Sequence, residues 1–216
     1  MESELRKASL YPSIEGPVVD VERLIERHLK VALDQHADLD PTVLGLTEFF
    51  TGKPPRISIN KSLTGSALDE DETPPGALGR WRATLAHEAA HVLLHRALFE
   101  FAVGNMSLFG TEQRAETPGR QLHRCLKRDA SYRRVADWRE FQANEGMAAI
   151  LMPRTFFLSV ARREIEQAFP SGAIPEGDEW RVAVPLARRL GVSKQAATIR
   201  LTTLKLVTPT GQENLL

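Results

Sequence analysis

The chain is poorest in the residues that cross-link or anchor a protein. Cys125 is the single cysteine among 216 residues, which excludes an internal disulfide framework and suits a reducing compartment. No apolar run approaches the roughly 20 residues that a membrane span needs, and the N-terminal MESELRKASLYPSIEGP lacks the apolar h-region of a secretory signal. We therefore expect a soluble, cytoplasmic protein with no membrane partner. Excess charge is missing too. The 28 Lys and Arg balance the 28 Asp and Glu, so no whole-molecule field draws the chain toward nucleic acid, and any such attraction must be local. Internal repeats are absent. The length suits one core-forming domain with a smaller appendage.

Along the chain, Asp20 is placed to cap VERLIERHLK, where Val21, Leu24, Ile25 and Leu29 recur at helical spacing. DQHADLDP then reads as turn-rich. VLGLTEFF and RISIN are β-favouring runs joined by TGKPP, which has hairpin-loop chemistry. From about residue 78 to 101 the pattern is helical, it fades between 104 and 130, and VADWREFQANEGMAAILM restores it until Pro153 forces a stop near Met152. FPSGAIPEGDEW reads as a linker. Beyond it, VAVPLARRLGVSKQAATIRLTTLKLV reads as two short helices around a turn at Gly191.

The chemistry concentrates in LAHEAAHVLLH, residues 85–95. On a helix His87 and His91 lie one above the other, so their imidazoles can converge on one ion. Glu88, between them in the HExxH pattern, is better placed to take a proton from an attacking water than to ligate. Zinc (Zn2+) suits such ligands, and a catalytic zinc keeps three protein ligands and one open position. A third ligand is needed, since the five-residue pattern by itself also arises by chance.

Glu140 and Glu145 compete for that place. Five residues separate them, about 140° around a helix, so only one can face the metal. Glu140 shares its side with Ala143, small enough to allow close helix approach, and with Asn144, which can orient a ligating histidine. We favour Glu140. His95 continues the histidine stripe but stands roughly 12 Å of helix rise beyond His87, too far for the same ion, and packing or support of a ligand suits it better.

HEAAHVLLH, then EFQANEGMAAILMP, then LARRLGVSKQAATIRL, in this order, resembles the ImmA/IrrE-type zinc metallopeptidases across roughly residues 20–207. The resemblance implies an α+β fold: a zincin-like peptidase domain, residues 1–170, with a small antiparallel sheet and the HExxH helix, then a helix-turn-helix-like module, residues 171–216. It implies zinc on His87, His91 and Glu140, Glu88 as catalytic carboxylate, and cleavage of a partner repressor, often a helix-turn-helix protein, in DNA-damage or phage-related responses. The arrangement also resembles CapP-like members, although the sequence does not separate these subgroups. One departure is the long segment between the two ligand-bearing helices.

Several residues carry further expectations. RISIN can serve as an edge strand, protected or open to an extended substrate, with Ile57 and Ile59 turned into the core. His123 or Tyr132 can donate to the tetrahedral oxyanion. Cys125 is either an incidental small side chain or an inhibitory fourth zinc ligand. RQLHRCLKRDASYRR sets Arg120, Arg124, Lys127, Arg128, Arg133 and Arg134 against one acid, Asp129. Such a patch either pairs with the acidic LDEDE stretch or, with Tyr132 and His123 as stacking platforms, binds single-stranded DNA as an activator. In the C-terminal module Ser193 is placed to cap the second helix, but Arg200 occupies a slot expected to be apolar, which counts against DNA reading; the resemblance favours a winged-helix-like or helical extension that packs against the peptidase or holds its substrate. The competing function is a DNA-binding regulator whose metal site is structural or vestigial.

Overall fold

The computed structural model describes residues 1–69, 76–109, 120–126 and 138–208, with the backbone alone at 101–109 and 120–126. The chain is a mixed α+β protein. It divides into two compact units, residues 20–147 and residues 1–19 with 148–216.

In chain order from the N-terminus, α1 (Glu2–Lys7) belongs to the second unit, and the first unit begins with α2 (Val21–Arg23), which Asp20 caps by accepting the Arg23 amide at 2.9 Å and which continues as a π turn over Leu24–His28. Then follow β1 (Ala32–Ala37), β2 (Val43–Phe50), β3 (Lys53–Asn60), α3 (Lys61–Leu68), the long α4 (Ala77–Phe109), β4 (Arg120–Leu126) and α5 (Trp138–Leu151). The four strands form one sheet in the order β1-β3-β2-β4. β2 is antiparallel to both its neighbours, whereas β1 runs parallel to β3. The sheet is therefore mixed, not purely antiparallel.

Two strands lie where no strand is expected. β1 occupies ALDQHA and β4 occupies RQLHRCL, both polar segments at the two sheet edges. Polar and charged side chains are what edge strands carry to discourage pairing with other chains, so neither shows the apolar alternation that marks a strand in sequence. RISIN is correspondingly not an edge. It forms the end of β3, hydrogen-bonded to β1 on one side and β2 on the other, which leaves no backbone there for an added strand. Ile57 and Ile59 are buried, as expected, but so are Ser58 and Asn60. The β2–β3 turn is also tighter than TGKPP implies. Phe50 pairs with Lys53, and Pro54 and Pro55 fall at a register shift, where their missing amide donors interrupt little of the ladder.

Helix α4 is the centre of this unit. Thr84, Leu85, Ala86, Ala89, Ala90 and Val92 are all buried, as are the four polar residues His87, Glu88, His91 and His95. From Thr84 to Val92 the helix is covered all round, as a core helix is, whereas Leu94, Arg96 and Leu98 beyond it are exposed. It lies against β2, where Gly45, Thr47 and Phe49 alternate onto its side: Gly45 approaches Thr84 and Glu88, Thr47 bonds Glu88, and the Phe49 ring stacks on Phe99 at 5.7 Å.

The second unit holds α1, the end of α5, α6 (Arg154–Ala168), β5 (Ile174–Pro175), α7 (Trp180–Leu190), α8 (Lys194–Thr203) and β6 (Val207–Thr208). α5 ends at Leu151, and Pro153 stands at the N-terminal boundary of α6, as the proline predicts. The segment read as a linker carries β5, which pairs with β6 and buries Ile174. Gly191 ends α7 in the left-handed conformation (φ +62°), which glycine adopts without strain, and the Ser193 hydroxyl caps α8 by accepting the Ala196 amide at 3.1 Å. Arg200 is buried because its guanidinium donates to the Met152 carbonyl at 2.9 Å. That bond explains a cation in an apolar slot. Arg200→Ala should cost about 1.5–3 kcal/mol, the range for a hydrogen bond from a charged group, and urea unfolding monitored by circular dichroism checks it.

Candidate metal centre

α4 and α5 bring His87, His91 and Glu140 together. His87 Nε2 lies 3.0 Å from His91 Nε2 and 3.2 Å from Glu140 Oε2, and His91 Nε2 lies 3.3 Å from Glu140 Oε1. Among the described residues these are the only three whose ligand atoms cluster in this way. In a tetrahedral zinc site with arms of roughly 2.0–2.1 Å, two ligand atoms stand about 3.3 Å apart. The observed spacing is close to that edge length.

The hydrogen bonds behind the ring nitrogens fix what those nitrogens present. His87 Nδ1 faces the Asn144 side-chain oxygen at 3.1 Å, an acceptor, so Nδ1 carries the proton. His95 Nε2 faces the Gln142 side-chain oxygen at 3.2 Å and carries its proton there. A neutral His95 then offers the Nδ1 lone pair to His91 Nδ1, 3.0 Å away, and His91 donates. Both histidines thus turn an Nε2 lone pair toward the Glu140 carboxylate. Three electron-pair donors facing one point are the arrangement that could hold a cation, and the donor set fits zinc.

The charges agree. Burial opposes a proton on His87, but the Glu140 bond and the Glu88 and Glu140 charges outweigh it and raise its pKa. Burial, helped by the charges of His87 and His95, lowers His91 to about 4 against the pull of Glu140. Burial also disfavours the Glu140 carboxylate, yet the His87 and His91 imidazoles against it hold its pKa well below the usual range.

Glu88 lies fully buried beside this cluster. Burial raises its pKa to about 7, against the charge of His87 and a 2.5 Å bond from the Thr47 hydroxyl to Oε2. A carboxyl poised there can accept and return a proton near neutral pH. Its other oxygen, Oε1, is buried with no hydrogen-bond partner among the described residues. Gly45 makes room for it: a Cβ at that position would stand 2.7 Å from Oε1 and 2.8 Å from Thr84 Cγ2. Neither Gly45 nor Thr47 is singled out by motif spacing, but a glycine inside the apolar run VLGLTEFF is a sign of close backbone approach.

The other expected site residues are placed less fully. Glu145 lies on α5, half-buried and outside the three-residue cluster. The β4 backbone sets His123 opposite Thr47 and Cys125 opposite Gly45, on the strand next to the one that supports Glu88, with Arg124 opposite Leu46 and Arg120 opposite Phe50. Tyr132, Lys127, Arg128, Arg133 and Arg134 lie outside the described residues.

Residues 77–202 match the family described as Peptidase M78, IrrE N-terminal-like domain. The chain belongs to this metallopeptidase family. The match spans α4 to α8, including all three clustered residues, and bears out the ImmA/IrrE resemblance without reaching a subgroup such as the CapP-like members. No curated protein matches the chain. No helix among the described residues is long and apolar enough to cross a membrane.

Proposed function

We propose that this chain is a zinc-dependent endopeptidase of zincin-like architecture that cleaves a partner transcriptional repressor in a DNA-damage or phage-defence response. The observation that carries the peptidase reading is the convergence of His87, His91 and Glu140 at tetrahedral spacing beside the buried carboxylate of Glu88. When bound there by His87, His91 and Glu140, zinc supplies Lewis acidity toward the scissile carbonyl and the attacking water. Glu88 takes the proton of that water and returns it to the leaving amine. Thr47 holds one Glu88 oxygen by its hydroxyl, and Asn144 holds His87 in the tautomer that a metal requires. In this reading α7 and α8 serve as a helix-turn-helix-like module that holds the protein substrate.

The repressor is tested directly. A helix-turn-helix protein encoded beside the gene should be cut at one site by the zinc-loaded chain, and an intact repressor after incubation would remove that substrate. DNA binding by the chain without any cleavage would favour the competing regulator.

The support of Glu88 gives a separate expectation. In Gly45→Ala the new methyl must displace the Glu88 carboxylate, and a displacement of about 1 Å can cost 10²-fold in rate. Peptidase turnover should fall by about that factor while zinc content, read by atomic absorption, stays at the wild-type level. Gly45→Ala with full turnover would show that Glu88 does not need its present place.

A further inference from the structure

We infer that His95 and Gln142 form a positioning relay that sets the tautomer of His91 and so builds its affinity for metal. The inference rests on the reading of His87 and His91 as metal ligands. His95 stands one helical turn beyond His91 on the same side of α4, buried, and outside the three-residue cluster. Both its nitrogens are engaged, Nδ1 with His91 Nδ1 at 3.0 Å and Nε2 with the Gln142 oxygen at 3.2 Å. The order of protons follows from the last acceptor. An amide oxygen can only accept, so His95 donates through Nε2 and receives through Nδ1, and His91 gives its one proton to His95.

The result is a directional chain from Gln142 through His95 to His91, whose Nε2 is left unprotonated toward His87 and Glu140. α5 thereby serves both histidines: Asn144 fixes His87 directly, and Gln142 fixes His91 through His95. Simple core filling would be met as well by leucine, which carries no polar atoms needing partners in the interior. A relay is not.

The zinc-loaded full chain and its variants test this, with zinc affinity measured by chelator competition and ring tautomers by nitrogen-15 NMR. His95 in the wild type should be protonated on Nε2 and not on Nδ1. His95→Leu should weaken zinc binding about 10–100-fold, the usual effect of removing an outer partner of a ligating histidine. His95→Gln, which restores an acceptor oxygen for His91, should recover most of that loss. Gln142→Leu should weaken binding and Gln142→Glu should not, and this pair decides the matter if His95→Leu does not fold. Wild-type zinc binding with unchanged affinity in the leucine variants, or a His95 proton on Nδ1, overturns the relay alone. A wild type that binds no zinc overturns the ligand reading and the relay with it.

Discussion

Glu140→Ala should emerge from purification with almost no zinc, whereas Glu145→Ala keeps about one ion per chain. Glu140 supplies both carboxylate oxygens that face the imidazoles, Oε2 toward His87 and Oε1 toward His91. Loss of a ligand exceeds the roughly 10–100-fold effect of losing an outer partner. It also removes the anion that offsets the burial of two imidazoles. Added zinc should therefore raise the melting temperature of the wild type and of Glu145→Ala, since a ligand held only by the folded state stabilises it by about 4 kcal/mol at a thousand times its dissociation constant. Glu140→Ala should show no such rise. The reverse pattern, with zinc lost from Glu145→Ala and kept by Glu140→Ala, would replace Glu140 as the ligand.

The second large effect separates chemistry from metal binding. Glu88→Gln keeps the shape of the side chain and an oxygen for the Thr47 hydroxyl, but it removes the group that accepts the proton. Turnover should fall by about 10²–10⁴-fold, the contribution of a positioned general base, and zinc content should not change. Stability should not fall either. The buried carboxylate is disfavoured in its charged form, and a neutral amide removes that cost. A melting temperature at or above the wild type, with zinc present and cleavage lost, is the expected set of results. Undiminished cleavage by Glu88→Gln would transfer the base's role to another group.

Local signals were the readable part of this chain. Asp20 and Ser193 announce their caps, Pro153 announces the end of α5, and the spacing of His87, Glu88 and His91 places two imidazoles on one side of a helix. What escaped depends on partners distant in sequence. β1 and β4 are strands because β3 and β2 offer them hydrogen bonds, and their own residues are as polar as edges require. The interior place of RISIN follows from β1, which no pattern reveals. Gly45 and Thr47 matter through Glu88, forty-odd positions away, and only the glycine left a trace. His95 looked like a continuation of a stripe, while its partner Gln142 lies 47 residues downstream.

The expectations for Glu140, Glu88 and His95 depend on one ion in one place. Diffraction from crystals of the zinc-loaded chain, recorded on both sides of the zinc absorption edge, locates it directly. The account predicts a single strong anomalous peak at roughly 2.0–2.2 Å from His87 Nε2, His91 Nε2 and a Glu140 oxygen, with Glu88 close by but not bound. A peak held by other residues, or none near His87 and His91 in crystals that contain zinc, would contradict it.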